Sequence, residues 1–242
     1  MTRVCLITGA GGLLGSAWCR AMADRYAIVA AYHSRPPTVP TQTARLVDPV
    51  APRRPPPEAA HRVFAVQADL TEPAEIDRLV ELALARFGRV DLLVNAAADV
   101  LTSAETTDPR LAETWARQLV LNTVVPMQLA AAVAHAFWRG HEAGNRARNR
   151  NVVNVSSTAG LPGVTPTRGR AVYAASKAAL NVVTRRMAAD YGRFGIRVNA
   201  VAPTNFPEVL PTEDVVRSLR RLDRGGMTGR VLVLDGERKR WL

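Results

Sequence analysis

Short apolar runs alternate with longer amphipathic segments along nearly the whole chain. The apolar runs have the length and residue types of buried strands, and they cover residues 3–8, 27–32, 63–66, 90–95, 151–155, 196–201 and 230–234. Segments with a helical period lie between them and cover residues 13–24, 73–88, 111–141, 172–192 and 212–222. These repeated strand–helix units predict an α/β fold, a doubly wound sheet of about seven mainly parallel strands with helices on both faces. We expect the 242 residues to form a single domain.

One segment interrupts this alternation. Residues 35–62 are rich in proline and lack the amphipathic period of a crossover helix. They predict a loop with polyproline character, with at most a short helix near Thr43.

A glycine-rich turn joins the first predicted strand to the first predicted helix. It reads TGAGGLLG at residues 8–15. Glycines let the backbone approach a pyrophosphate closely, and the start of the following helix offers unpaired N–H groups and a positive dipole end. Because the turn lies between a strand and a helix, the pattern predicts a dinucleotide site. The candidate contacts in this turn are Thr8, Gly9, Gly11, Gly12, Leu13, Leu14 and Gly15.

The end of the second strand indicates which dinucleotide is bound. An acidic residue about 20 positions after the turn would bind the ribose 2′-hydroxyl of NAD, whereas an arginine would accept the 2′-phosphate of NADP. The strand is followed by His33, Ser34 and Arg35 and carries no carboxylate. The sequence therefore predicts NADP(H) in preference to NAD(H), bound in part by these three residues.

Tyr173 and Lys177 form a pair with a clear chemical use. The chain has two lysines beside thirty arginines, and Lys177 stands four residues after Tyr173 in a predicted helix. Residues at that spacing lie on one helix face, so an ammonium can stabilise a phenolate and help the tyrosine transfer a proton. Lysine, unlike arginine, is a compact and titratable cation. The alternative interpretation is an ordinary surface pair on a solvated helix.

Together these motifs make the chain resemble the short-chain dehydrogenase/reductase family over nearly its whole length. The most specific stretch is residues 172–203, and the pattern is completed by Asp69, Asn95, Ala96, Ala97, Asn122 and Ser157. The resemblance implies a Rossmann-like fold and an oxidoreductase with a nicotinamide cofactor.

The resemblance also implies a catalytic set of four residues. Tyr173 would be the acid or base at the substrate oxygen, and Lys177 would hold the nicotinamide ribose and lower the tyrosine pKa. Ser157 would orient the substrate oxygen. Asn122 would hold a proton-relay water.

Further cofactor contacts follow from the same resemblance. The acid beside the adenine ring would be Asp69, followed by Leu70, and the wall near the adenosine ribose would be Asn95 with its alanines. Tyr173 and Lys177 would also touch the cofactor. The remaining contacts, near the nicotinamide, would be Pro203 and Thr204.

Several positions depart from the family pattern. The spacing TGxxGxxG through Gly12 and Gly15, with Leu13 in place of a glycine, resembles the epimerase-like branch of the family. The other departures lie near the expected cofactor. Ala96 replaces the usual second asparagine, Ala98 replaces the usual glycine, and Thr204 replaces the glycine after Pro203.

The segment that usually covers the substrate is short. Residues 203–229 leave little room for the loop and helices that the family inserts there, and the loop before Tyr173 carries extra residues that include Arg168 and Arg170. A trimmed lid favours a bulky or carrier-protein-tethered substrate over a small enclosed one.

The net charge of +11 invites a nucleic-acid interpretation. The arginines are dispersed, and no aromatic-rich RNA motif accompanies them, so we expect no nucleic-acid partner. The charge should instead attract anionic cofactors, anionic substrates or acidic carrier proteins.

We expect no membrane segment, because no apolar run approaches 18 residues. The first residues lack the layout of a signal peptide, which predicts a cytoplasmic protein. Cys5 and Cys19 are expected to be reduced and structural.

The residues and the resemblance together predict an NADPH-dependent enzyme that interconverts a small-molecule ketone and its alcohol, without a metal ion. An epimerase or dehydratase with a retained cofactor is one alternative, and a non-catalytic NADP-binding sensor or scaffold is another. The resemblance also implies a homodimer or homotetramer that packs through the helices at 111–141 and 172–192.

Overall fold

The computed structural model describes residues 2–39, 42–43, 62–100, 106–236 and 238–242. Within these residues all strands belong to one sheet, and they are β1 (Arg3–Ile7), β2 (Tyr26–Tyr32), β3 (Gln42–Thr43), β4 (Val63–Gln67), β5 (Leu92–Asn95), β6 (Asn151–Val155), β7 (Arg197–Pro203), β8 (Val231–Asp235) and β9 (Arg238–Trp241). The strand order is β3-β4-β2-β1-β5-β6-β7-β8-β9. Every neighbouring pair is parallel except β8 and β9, which are antiparallel.

The predicted doubly wound sheet is confirmed, and all seven predicted strands are present. The two additional strands lie at the edges of the sheet. β3 has only two residues, and β9 reads RKRW without an apolar face, so neither produces a pattern that a sequence can reveal.

The structure differs from expectation near Thr43. Gln42 and Thr43 pair in parallel with Phe64 and Ala65 of β4, so the short helix expected there is wrong. Most of the predicted proline-rich loop at 35–62 lies outside the described residues.

Seven α-helices are present among the described residues. They are α1 (Leu13–Met22), α2 (Pro73–Phe87), α3 (Ala112–Leu119), α4 (Val125–Val133), α5 (Glu142–Ala147), α6 (Ala171–Gly192) and α7 (Thr212–Arg224). One core lies between the sheet and α2, α4 and α6, and a second lies between the sheet and α1 and α7. Consecutive residues of β1 pack in opposite cores, because successive side chains of a strand point to opposite faces. Leu6 packs in the first core and Ile7 packs in the second core.

The single helix expected at 111–141 is divided by two π-helical segments, Val120–Val124 and Ala134–Trp138. Pro126 lies just after the first of them and has no N–H. It therefore cannot bond the carbonyl of Asn122, four residues earlier, as a regular α-helix requires. The helix register therefore changes around Asn122, the residue that was predicted to hold a proton-relay water.

By length and composition alone, the helical run Pro109–Trp138 could cross a membrane, with mean hydropathy 1.5. In the fold this run belongs to the first core, where Leu129, Ala130 and Val133 are fully buried. Core packing accounts for its apolar composition. The absence of a membrane segment stays a prediction.

The segment after β7 is short in the structure as well. α7 buries Val215, Val216 and Leu219 in the second core, so it packs on the sheet as a crossover helix. Only residues 204–211 separate β7 from α7.

Candidate active site

The carboxyl ends of the parallel strands meet at one edge of the sheet. β1 lies between β2 and β5, so the chain order reverses there, and doubly wound sheets bind ligands at that reversal. The glycine turn follows β1, and Asn95 ends β5. Ser157 follows β6.

The glycine turn is packed tightly against neighbouring backbone. Gly9 has φ +68°, a conformation that residues with a side chain rarely adopt. A Cβ on Gly11 would lie 1.7 Å from the carbonyl oxygen of Arg35, and one on Gly15 would lie 2.3 Å from that of Gly9. This cradle of bare backbone fits a pyrophosphate. The start of α1 adds to the fit, because no side chain caps it.

Thr8 fixes the turn rather than lining the cavity beside it. Its hydroxyl accepts hydrogen bonds from the amides of Ala96 and Ala97, at 3.1 and 3.0 Å. The side chain is buried. These bonds hold the turn after β1 against the chain that leaves β5.

A cavity of about 610 Å³ lies beside the turn. Ten of the residues predicted to bind the cofactor line it, namely Gly9, Gly11, Gly12, His33, Ser34, Arg35, Asp69, Leu70, Ala96 and Ala97. The structure therefore brings the glycine turn and the ends of β2, β4 and β5 to a common space.

The cavity also has walls that sequence reasoning missed. They include Asp99, Thr114, Arg117 and Leu121, and they join Ala98, which the sequence had placed near the cofactor. Thr114 and Arg117 come from α3, where they resemble ordinary polar positions of a surface helix. No sequence motif marks them, and only tertiary packing places them there: α3 packs against α6, and Gln118 of α3 donates a hydrogen bond to the carbonyl of Asp99.

Asp69 is held in an ionised form at the cavity. Its Oδ1 accepts hydrogen bonds from the amide and the hydroxyl of Thr71, at 3.0 and 2.7 Å, and these bonds lower the pKa of the carboxyl group. Its Oδ2 lies 3.5 Å from Nε2 of His33. The acid expected beside the adenine ring thus joins the ends of β2 and β4.

Asn95 differs from its expected position. Its side chain is 3% exposed, donates to Oδ1 of Asn154 at 2.8 Å, and does not line the cavity. The two asparagines are register partners on β5 and β6, and their side chains meet in the interior. The wall that was assigned to Asn95 is formed by the alanines after it.

Other predicted cofactor contacts also lie outside this cavity. Leu14 packs in the second core, Leu13 is 53% exposed, and Gly15 packs against the turn. Thr204 follows Pro203, and its amide donates to the carbonyl of Leu234 at 2.8 Å. These residues border the site or support it.

Lys177 is buried beside the end of β6. The side chain is 2% exposed, and Nζ donates a 2.8 Å hydrogen bond to the carbonyl of Val155. Burial lowers the pKa of the ammonium to about 8. Nζ lies 5.7 Å from the centre of the Tyr173 ring, which excludes the interpretation of a solvated surface pair.

Tyr173 is half-buried at the start of α6. Burial raises the pKa of its hydroxyl, while a hydrogen bond with Ser157 and the charge of Arg170 lower it. That Lys177 lowers this pKa stays a prediction. Ser157 also accepts a hydrogen bond from the amide of Ala159 at 3.1 Å, which orients its hydroxyl.

The Asn122 side chain connects the chain after β5 to α6. Oδ1 accepts from the amide of Asp99 at 2.8 Å, and Nδ2 donates to the Asp99 carbonyl and to the Ser176 hydroxyl, each at 3.0 Å. Ser176 in turn donates to the carbonyl of Tyr173 at 2.7 Å. Both amide hydrogens are used, so a water would have to bind the backbone of Asn122.

A second cavity, of about 590 Å³, lies at the start of α6. Its walls include Ala159, Ala171 and Ala174, and the loop at residues 164–170 closes one side. Ala159 contacts Ser157, and the two other alanines flank Tyr173. Neither Ser157 nor Tyr173 is among the described residues that line this cavity, but Arg170, which lines it, acts on the Tyr173 hydroxyl through its charge.

A sequence model of the family described as short chain dehydrogenase matches residues 3–210. Together with the sheet order and the Tyr173 and Lys177 geometry, this match shows that the chain belongs to the short-chain dehydrogenase/reductase family. It follows that the protein is an oxidoreductase of the class that acts on alcohol or carbonyl groups with an NAD(P) cofactor.

Two curated relatives and one solved structure illustrate the similarity. The chain is 33% identical over 83% of its length, and 72% of the relative, to cis-4-hydroxycyclohexanecarboxylate dehydrogenase of Sinomonas cyclohexanicum. It is 32% identical over 82% of its length, and 68% of the relative, to 3beta-hydroxysteroid dehydrogenase 1 of Eggerthella lenta. An oxidoreductase of this family from Brucella ovis, in complex with a partially ordered NAD, matches with TM-score 0.69 and 25% identity over 97% of this chain and 100% of that one.

Proposed function

We propose that the protein is an NADPH-dependent reductase of cyclic ketones, or the corresponding alcohol dehydrogenase. The observation that carries this proposal is the Tyr173 side chain, which lies beside Ser157 and whose ring centre is 5.7 Å from Nζ of the buried Lys177. The glycine cradle lines the cofactor cavity, and the start of α6, where Tyr173 lies, lines the second cavity.

The preference for NADP(H) is supported by the charges at the cofactor cavity. Arg35 and His33 follow β2, and Arg117 lies across from them on α3. The Asp69 carboxylate, which lies 3.5 Å from His33 after β2, is already bonded to Thr71. An additional phosphate on the ribose would meet cations there.

The chain's own residues supply the proton transfer. The glycine turn would hold the pyrophosphate of the cofactor, which would supply the hydride for reduction of the carbonyl carbon or accept it from the alcohol carbon. Tyr173 would donate its proton to the carbonyl oxygen during reduction and accept it during oxidation, while Ser157 holds that oxygen in place. The Lys177 ammonium would stabilise the phenolate that results. A water on the Asn122 backbone would reprotonate it.

The substrate class is supported by the relatives and by the short lid. Both curated relatives are named for cyclic hydroxy compounds, a cyclohexanecarboxylate and a steroid. Between β7 and β8 only residues 204–211 lie before a helix that belongs to the core, so this part of the chain can form only a short cover. An open site accepts a bulky ring system or a substrate that is tethered to a carrier protein.

We also propose a homodimer or homotetramer in the cytoplasm. α3, α4 and α6 leave a set of large apolar side chains exposed, which are Leu119, Val124, Met127 and Val182. Packing of these helices across a two-fold axis would cover them. The two cysteines are free and buried, as in proteins of a reducing compartment.

A cofactor assay tests the activity. The purified protein is mixed with NADPH and a panel of cyclic ketones, and absorbance at the nicotinamide band is followed. Stoichiometric loss of NADPH with formation of the alcohol supports a reductase. Epimerised or dehydrated product with no net loss of NADPH would contradict it, and so would NADPH binding without turnover on any ketone.

A further inference from the structure

A third cavity, of about 320 Å³, lies at the end of the strands opposite to the cofactor cavity. Its walls include Arg3, the first residue of β1, and Tyr26, the first residue of β2, which are register partners. The glycine turn follows the other end of β1. The proposed reaction therefore makes no use of this cavity.

Four arginines line the third cavity. Arg3 comes from β1, Arg25 from the chain between α1 and β2, and both Arg220 and Arg224 from α7. The two arginines of α7 are four residues apart, so they lie on one face of the helix. Three separate parts of the chain thus bring guanidinium groups to one space.

The Asp223 carboxylate is also part of the wall, but its oxygens are already occupied. Asp223 is 1% exposed and accepts hydrogen bonds from the side chains of Arg3, Tyr26 and Asn151, at 2.7, 2.7 and 2.8 Å. The ion pair with Arg3 balances the charge of the carboxylate. Asp223 therefore cannot also neutralise the other three arginines.

Asn149 fixes the end of α7 beside the cavity. Its Nδ2 donates to the carbonyls of Asp223 and Gly225, at 3.1 and 3.0 Å, and its Oδ1 accepts from Nε of Arg197 at 2.6 Å. These bonds hold the last turn of α7 against the chain that enters β6. The part of α7 that carries the two arginines therefore has a defined position.

Arg25, Arg220 and Arg224 form no hydrogen bond or ion pair with another residue in the described part of the chain. Like charges that lie close together destabilise a folded chain. The negative end of the α7 dipole favours cations at the end of that helix, but it does not account for Arg25, which belongs to another part of the chain. A bound anion accounts for all three.

Phosphate is the anionic group that these side chains suit best. The planar guanidinium fork of arginine matches the paired oxygens of a phosphate and binds them through two hydrogen bonds. Three such forks can hold more than one phosphate group. The volume of the cavity lies near the lower limit of small-molecule sites, which favours a small anion.

We infer that the third cavity binds a small anion with two linked phosphate groups, of the pyrophosphate type. Arg25 holds it from one side and the two arginines of α7 hold it from the other, so the anion joins α7 to the chain between α1 and β2. Because it binds only the folded protein, it also stabilises the fold. This inference goes beyond the proposed function and does not depend on it.

The test is a calorimetric titration with inorganic pyrophosphate at constant ionic strength, with and without saturating NADPH. We expect saturable binding that NADPH does not displace. Arg220→Gln and Arg25→Gln should each raise the Kd by at least about tenfold, the size expected of a hydrogen bond between charged groups. Arg25 is exposed, so Arg25→Gln tests the site without disturbing the packing of α7.

Arg221→Gln is the matched control, because it removes the same charge at an exposed position of α7 outside the cavity. It should leave the Kd for pyrophosphate unchanged. An equal loss of affinity in Arg221→Gln and Arg220→Gln would overturn the inference, since net charge alone would then hold the anion. The absence of saturable binding to the wild type would overturn it as well. Displacement of all bound pyrophosphate by NADPH would place the anion in the glycine cradle and would contradict the third cavity as its site.

Discussion

The Nζ atom of Lys177 donates a 2.8 Å hydrogen bond to the carbonyl oxygen of Val155. The ammonium is 2% exposed, and burial lowers its pKa to about 8. Burying an ammonium that is bonded to a neutral carbonyl lowers the stability of the fold, because the charge loses its hydration. The buried position of Lys177 therefore indicates a function. The reason we propose is the Tyr173 hydroxyl, whose ionised form the ammonium would stabilise.

The lowered pKa of Lys177 predicts a specific pH dependence of stability. Between about pH 8 and pH 9.5 the unfolded chain keeps a lysine proton that the folded chain has lost, so the free energy of unfolding rises with pH. Urea unfolding of the wild type and of Lys177→Met should show a difference that grows by at most ~1.4 kcal/mol per pH unit in this window. A difference that stays constant with pH would mean that the lysine has an ordinary pKa in the folded protein.

Gly11→Ala should damage the cofactor cradle. The added Cβ would lie 1.7 Å from the carbonyl oxygen of Arg35, a backbone atom that can move only with the whole turn. We expect a loss of ~1–3 kcal/mol in NADPH binding, measured by fluorescence titration. Gly226→Ala is the control, because nothing lies within 4 Å of the added Cβ there. Unchanged NADPH affinity in Gly11→Ala would show that the cofactor does not use this turn.

Arg35→Ala tests the preference for NADP(H). The substitution keeps the backbone carbonyl that touches Gly11 and removes only the guanidinium group. We expect the Kd for NADPH to rise by roughly tenfold to a hundredfold, the value of a charge-assisted hydrogen bond, while the Kd for NADH stays nearly constant. Arg221→Ala, at an exposed position of α7, should change neither. A wild type that binds both cofactors equally would reject the preference.

Pro126→Ala tests the role of the Asn122 backbone. Alanine supplies the N–H that Pro126 lacks, and this N–H can bond the Asn122 carbonyl that we assign to the relay water. We expect kcat to fall by about tenfold with little change in the Kd for NADPH. Pro73→Ala is the matched control, because proline in the first turn of α2 displaces no helix hydrogen bond. If kcat is unaffected by Pro126→Ala, reprotonation does not pass through this carbonyl.

Much of the fold follows from local pattern. The strands that the sequence predicts are buried on both faces, so they appear as continuous apolar runs. β9 could not be found in this way because its charged residues pair only with β8, at the edge of the sheet. The division of the long helix could not be found either, since the register change beside Pro126 depends on how α3 and α4 pack.

The site residues show the same difference between what local pattern predicts and what only packing determines. Spacing alone was enough to place Tyr173 and Lys177 together, because residues four positions apart in a helix lie on the same face. Asn95 shows the limit: the sequence places it at the end of β5 but does not show whether its side chain faces the cavity or Asn154. Arg117 was missed for the opposite reason, since a polar residue on a helix has no distinguishing pattern until tertiary packing brings α3 to the cavity.

The measurement that tests the central claim most directly is reduction of a cyclic ketone by NADPH in the wild type and in Tyr173→Phe. Phenylalanine keeps the ring beside Lys177 and removes only the hydroxyl that is bonded to Ser157. We predict that kcat/KM falls by about 10²–10⁴-fold, the usual contribution of a general acid, while the Kd for NADPH changes by no more than about twofold. A variant that retains most of the wild-type turnover would contradict the assignment of Tyr173 as the proton donor.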